Sequence, residues 1–186
     1  MSDNYRKQLP NMITLSRIAF VPFIIYFMMD TDFFSGFIAA VLFIIASITD
    51  YYDGYFARKY KTESFLGKFL DPISDKLLVS SILIMFVYMG RLHPVIVILL
   101  LSRDTLINGL RSVAAAENVV IAAGSMGKWK TALQMVTIPA MQIYETTYGI
   151  PFYKIGLAGI YISLALSLVS GWQYMRDFFA ARKSYL

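Results

Sequence analysis

Residues Ile48 to Lys76 read ITDYYDGYFARKYKTESFLGKFLDPISDK, and the four aspartates in this stretch decide the architecture. Asp50 and Asp53 stand at i,i+3, and Asp71 and Asp75 at i,i+4, so on helices each pair projects from one face. Nearly unbroken apolar sequence flanks the stretch, Phe37–Ile45 before it and Val79–Phe86 after it. The reading is therefore two helices of membrane depth joined by a short polar loop. A charge at that depth costs about 2.5–3.5 kcal/mol on insertion scales, so four of them require a compensating partner. Counted at 1.5 Å per residue from an outer boundary at Phe33, Asp50 lies about 26 Å along its helix. Counted back from Met89, Asp71 lies about 27 Å from the same boundary. The two pairs thus meet at one level, close to the opposite face of the membrane.

Working outward, apolar runs recur through the whole chain, each approaching the roughly 20 residues that cross about 30 Å of hydrocarbon. The expected spans are 13–29, 33–60, 66–89, 94–116, 128–148 and 152–176, after a juxtamembrane arm at 1–12. This is an all-α integral membrane protein with a single domain over 1–186, because six crossings leave no room for a second. Composition agrees: 58% of the 186 residues are hydrophobic and 16% charged, against about 25% charged in soluble domains. The first apolar run lacks a small-residue cleavage site, so no cleaved signal peptide is expected. With six spans, only the basic residues Arg91 and Lys154 fall on the far side from the termini. Cytoplasmic ends carry the excess of Lys and Arg, which puts both termini and the acidic level on the cytoplasmic side of the cell membrane. The formal net charge of +5 flanks membrane spans instead of forming one soluble patch. It reads as attraction to anionic lipid and phosphate, not to nucleic acid.

The chemistry open to the chain is narrow. It has no cysteine, which excludes a thiol nucleophile, a disulfide framework and thiolate metal sites, and His93 is its one histidine. Four carboxylates at one level with oxygen ligands only suit Mg²⁺ or Mn²⁺, and two divalent ions would balance the charge. Gly54, Ala57 and Gly67 lie within a turn of these acids and let a ligand or neighbouring helix approach the backbone. Arg58, one turn past Gly54, is placed to pair with a phosphate. Two other readings stay open here: acids on a solvated loop, or the carboxylates of a divalent-cation or proton pathway. A pathway calls for polar groups through the outer half of the membrane, where Phe37–Ile45 and Val79–Phe86 are apolar.

The pattern Asp50-x2-Asp53-Gly54-x2-Ala57-Arg58-x8-Gly67-x3-Asp71-x3-Asp75 resembles, with no departure, the signature of the CDP-alcohol phosphatidyltransferase family. The resemblance implies six transmembrane helices, a homodimer, and transfer of a phosphatidyl group from CDP-diacylglycerol to an alcohol with release of CMP. It also implies that Asp50, Asp53, Asp71 and Asp75 hold two divalent cations and that Asp75 is the general base. Gly54, Ala57, Arg58 and Gly67 then line the cytidine nucleotide and its diphosphate.

The acceptor has to be read outside the signature. Pro10-Asn11-x-Ile13-Thr14-x2-Arg17 starts the first helix. Asn11 and Thr14 are candidates for the cytidine nucleotide and Arg17 for an acceptor phosphate, with capping and snorkelling as the alternative. From Pro94, Arg103 falls about 14 Å deep and Arg111 about 26 Å deep, the latter level with the carboxylates. Arg103 reads as support, with Asp104, Asn108 or an acid on another helix as its partner. Gly127-Lys128-Trp129-Lys130-Thr131 opens the fifth helix at the cytoplasmic level, with Gln134 a turn deeper. Lys128 and Lys130 form a phosphate site there with Arg111, unless they are only flanking charge. An acceptor that carries its own phosphate follows. Arg103-Asp104-x6-Arg111 with Gly127-Lys128-x-Lys130-Thr131 resembles the branch of the family that uses sn-glycerol 3-phosphate, though Asp104 stands where many members carry glutamate. Inositol phosphate and phosphatidylglycerol are the other acceptors to be weighed.

Overall fold

The computed structural model describes residues 18–30, 32–60, 65–117, 125–143, 146–147 and 149–184, with the side chains of 50–60, 65–73, 75, 125, 128, 146–147 and 182–184 left out. The described chain is helical throughout except for one small hairpin. The helices are α1 (Ile18–Met28), α2 (Phe33–Tyr60), α3 (Phe65–Tyr88), α4 (Pro94–Ala116), α5 (Ser125–Ile143) and α6 (Phe152–Ser184). Between the last two, Thr146–Thr147 and Ile150–Pro151 pair as antiparallel strands β1 and β2.

Local chemistry sets several of these ends. The Asp32 carboxylate accepts the Phe34 N–H at 3.1 Å, capping the start of α2. At the start of α4, Pro94 occupies the first turn and His93 Nδ1 accepts the Val95 N–H at 3.3 Å. The single histidine is therefore spent as a cap. At the end of α3, Gly90 takes φ +67° while the Arg91 N–H returns to the Phe86 carbonyl at 2.8 Å, a left-handed helix stop. The fifth helix ends at Ile143, short of the Tyr148 expected from hydropathy. β-Branched Thr146 and Thr147 favour the ladder, and Gly149 at φ +77° makes its tight turn. The sixth continues past Arg176 to Ser184, because Phe178 beyond that arginine is buried against α4.

All six helices feed one core. Ile24 and Met28 of α1, Phe43 of α2, Ile82 and Phe86 of α3, Leu100 of α4, Ile138 and Met141 of α5, and Ile160 of α6 are buried within it. Large apolar side chains also face outward: Phe23, Phe34, Ile84, Ile98, Leu106, Val136, Trp172 and Phe179 are all exposed. A water-soluble bundle presents polar residues there. Among the described residues, Phe152–Ala181 is the one helix both long and apolar enough to cross a membrane, and Ile18–Met28, Phe33–Thr49 and Lys76–Tyr88 are shorter apolar helices. The full count of six crossings thus exceeds what helix length and composition establish.

Helices α5 and α6 lie flat against each other and α2 lies against α5, with glycines at the contacts. A Cβ on Gly36 would stand 2.4 Å from the Gln142 carbonyl oxygen, and one on Gly156 would stand 2.9 Å from the Met141 backbone nitrogen. Backbone cannot yield as a side-chain tip does, so these contacts exclude any side chain. Gly36→Ala is expected to destabilise the protein by about 1–3 kcal/mol. Gly109→Ala, where a Cβ meets nothing within 4 Å, is expected to stabilise it by about 0.5–1 kcal/mol through backbone entropy. Thermal unfolding of the two variants in one detergent tests the contrast; equal melting temperatures would contradict it.

At the hairpin end, Arg91 is buried, 6% exposed. Its Nη1 donates to the Met141 and Gln142 carbonyls at 3.3 and 3.4 Å, at the negative end of α5. The Tyr153 hydroxyl donates to the Arg91 carbonyl at 2.7 Å. Loop α3–α4 is thereby tied to both ends of the α5–α6 hairpin.

Candidate active site

The signature occupies the ends of α2 and α3 remote from that hairpin. Asp50, Asp53, Gly54, Ala57 and Arg58 fall on the last three turns of α2, and Gly67, Asp71 and Asp75 on the first three of α3. The helical backbone keeps Asp50 one turn from Asp53 and Asp71 one turn from Asp75, as their spacing requires. Their side chains lie outside the described residues, as do Asn11, Thr14 and Arg17 entirely and the Lys128 side chain. Ser74, beside Asp75, is fully buried, which seats this turn of α3 in the bundle.

The described part of the candidate site lies between α4, α5 and α6, where each helix turns a polar stripe inward. On α4 these are Asp104 and Asn108, with the exposed Arg111 continuing the same face; on α5, Lys130, Gln134 and Thr137; on α6, Ser163, Ser167, Ser170 and Tyr174. Such i, i+4, i+7 spacing keeps each set on one helix face. The stripes meet in an ion cluster. Lys130, 5% exposed, donates from Nζ to both Asp104 oxygens at 2.6 and 2.5 Å. Arg103 Nη1 donates to Asp104 Oδ1 at 3.0 Å, its Nε to the Ser167 carbonyl at 2.8 Å, and its Nη2 to Ser170 Oγ at 2.7 Å. Two cations thus share the Asp104 carboxylate.

Three residues singled out separately by the sequence reading, Arg103, Asp104 and Lys130, are thus brought together. Arg103 does pair with Asp104, but its other partners come from α6. A Cβ on Gly171 would stand 3.0 Å from Arg103 Nε, so this glycine makes the space the guanidinium fills. Arg111 stands apart from the cluster: exposed, with its Cζ 5.6 Å from the Tyr174 ring centroid. Thr131 is exposed and donates to the Gly127 carbonyl of its own helix at 3.2 Å. Gln134 is 4% exposed, and its Nε2 has no partner among the described residues. Asn108 Nδ2, Ser163 Oγ and Ser167 Oγ on the same stripes are likewise unpaired. Buried polar atoms are normally satisfied, so these mark a polar wedge able to take further hydrogen bonds. The sequence places no candidate site residue on the last helix, and Ser167, Ser170, Gly171 and Tyr174 emerge only from the structure. For Ser167, Ser170 and Gly171 the signal was a small or polar residue every three or four positions on an otherwise apolar helix.

The CDP-alcohol phosphatidyltransferase family model matches residues 7–169, and the chain belongs to that family. The family is membrane-associated and generally dependent on divalent cations. Within it, a Bacillus subtilis protein is 36% identical over 188 residues, covering 95% of this chain and 97% of its own length. A Rickettsia typhi protein is 36% identical over 180 residues, covering 96% and 99%. One from Mycoplasma pneumoniae is 34% identical over 206 residues, covering 96% and 91%. All three relatives bear the name CDP-diacylglycerol--glycerol-3-phosphate 3-phosphatidyltransferase.

Proposed function

We propose that the protein is a phosphatidylglycerophosphate synthase, transferring the phosphatidyl group of CDP-diacylglycerol to the primary hydroxyl of sn-glycerol 3-phosphate with release of CMP. The observation that carries this reading is the eight-position signature from Asp50 to Asp75, lying on two helices inside the matched segment. The name borne by the relatives supports the acceptor. So does the gathering of two basic side chains, Arg103 and Lys130, around Asp104 beside the buried polar stripes, which suits a substrate bearing its own phosphate.

In this reading Asp50, Asp53, Asp71 and Asp75 hold two divalent cations, Mg²⁺ or Mn²⁺. The donor set fits such ions: carboxylates at one-turn spacing on two helices, no thiolate in the chain, and a histidine committed to capping α4. When bound, the ions neutralise the diphosphate and stabilise the departing CMP oxygen. Asp75 takes the proton of the acceptor hydroxyl as its oxygen attacks the phosphorus bearing diacylglycerol, and the bond from that phosphorus to CMP breaks. Gly54, Ala57, Arg58, Gly67, Asn11 and Thr14 line the CDP moiety. Arg111, Lys128, Lys130 and Arg17 grip the acceptor phosphate, with Arg103, Asp104, Thr131 and Gln134 in support. The whole chain acts as one six-span domain with its termini and site on the cytoplasmic side, and it pairs as a homodimer. The apolar outer surface supports placement in the bilayer, where lipid tails stay while the polar groups react.

Purified protein given CDP-diacylglycerol, Mn²⁺ and labelled candidate alcohols is expected to release CMP with sn-glycerol 3-phosphate. Chelation is expected to stop release, and Mg²⁺ or Mn²⁺ to restore it. Release with inositol phosphate or phosphatidylglycerol alone would overturn the acceptor; no release with any acceptor would overturn the transferase reading.

A further inference from the structure

Arg103 and Arg111 lie eight residues apart on α4, yet their guanidinium groups are committed in opposite ways. Arg103 spends its N–H edge on Ser167, Asp104 and Ser170. Arg111 lies with its Cζ over the Tyr174 ring, 5.6 Å from the centroid, and has no hydrogen-bond or ion-pair partner among the described residues. A ring within about 6 Å of a guanidinium attracts it through the quadrupole of the π-face and leaves the in-plane donors available. A planar fork held this way matches the geometry of a phosphate oxyanion.

The ring itself is fixed. Tyr174 is 8% exposed, and one turn further Phe178 is 3% exposed against Ala114, which is also 3% exposed and lies one turn past Arg111. Leu110 and Ala181 close this second apolar cluster, separate from the main core. Its burial locks α6 to α4 beside the stacked pair, so the ring stays under the guanidinium whether or not a ligand is present. Arg111 remains exposed, which leaves its edge accessible.

We propose that Tyr174 is a positioning residue: its ring holds the Arg111 guanidinium with the N–H edge presented to the phosphate of the acceptor alcohol. This rests on the synthase reading above. A phosphate oxyanion could equally come from the lipid donor or from anionic bilayer lipid, and kinetics separate the sources. In neutral mixed micelles, Tyr174→Leu is expected to raise KM for sn-glycerol 3-phosphate about tenfold, consistent with the free energy of a partly desolvated cation–π contact. Its kcat and its apparent KM for CDP-diacylglycerol are expected to stay within about twofold of the parent. Tyr174→Phe keeps the ring and is expected to restore the acceptor KM. In an Arg111→Gln background, Tyr174→Leu is expected to add nothing further. Should Tyr174→Leu not fold, Tyr174→Trp carries the same test, with KM retained by the ring. A rise in the lipid KM instead, a loss confined to kcat, or a Phe variant as impaired as Leu would overturn the proposal. If the parent protein turns over sn-glycerol 3-phosphate and Tyr174→Leu leaves its KM unchanged, only this inference fails. If the parent releases no CMP with that acceptor, the synthase reading fails instead.

Discussion

Asp75→Asn is expected to lower kcat about 10²–10⁴-fold, the usual worth of a general base, while measurable Mn²⁺ binding persists. The amide matches the carboxylate in volume and cannot take up a proton. Three of the four signature acids remain, so ion affinity falls without being lost. Asp75 is suited to this task by its place: it lies one turn beyond Asp71 on α3, and the neighbouring Ser74 and Leu78 are buried. The loss is expected in turnover, with the melting temperature unchanged. The measurements are steady-state CMP release and Mn²⁺ titration on the same preparation, with a melting curve as control. Normal turnover in this variant would remove Asp75 from the base role, and a collapsed melting temperature would assign the loss to structure.

Arg103→Met is expected to have the largest effect on stability, about 3 kcal/mol, or roughly 6–12 °C in melting temperature for a chain of this size. All three guanidinium nitrogens are used, and two of the acceptors lie on a different helix from the arginine itself. Methionine replaces the stem but removes one of the two cations paired with the Asp104 carboxylate and the donors to the Ser167 carbonyl and Ser170 Oγ. Arg103→Lys is expected to recover only part of the loss, because one ammonium cannot serve three diverging acceptors. Thermal unfolding in detergent is the measurement. An unchanged melting temperature in the methionine variant would show that α4 and α6 are held by apolar contact alone.

How far the fold could be read from sequence depended on the range of the interaction that sets each feature. The starts of α2 at Phe33 and of α4 at Pro94 are as expected, since Asp32, His93 and Pro94 act on their own turns. α5 falls short of Tyr148 because the apolar run closes at Ile143, after which the strand preference of two threonines and the turn at Gly149 take over. The extension of α6 was missed for a tertiary reason: Phe178 buries against Ala114, and that contact carries the helix past the exposed Arg176–Asp177 pair. The candidate site divides in the same way. The acids stood out because carboxylates are scarce, 12 in 186 residues, and their helical spacing is a local property. The pairing of Asp104 with Lys130 joins residues 26 positions apart, and nothing in either segment alone announces it. Tyr174 was invisible for the same reason, as an aromatic on an apolar helix has no feature that distinguishes a cation's platform from core.

The buried Arg91 carries a consequence for how the chain is made. The carbonyls that take its Nη1 hydrogens belong to Met141 and Gln142, 50 and 51 residues downstream, and Tyr153 follows later still. During translation α3 and α4 have both been synthesised before these groups exist. The loop between them is completed only by the arriving α5–α6 hairpin. A nascent chain that stalls or is cut ahead of Met141 therefore lacks the groups that close over this arginine, and biogenesis of the first four helices ends with the last two.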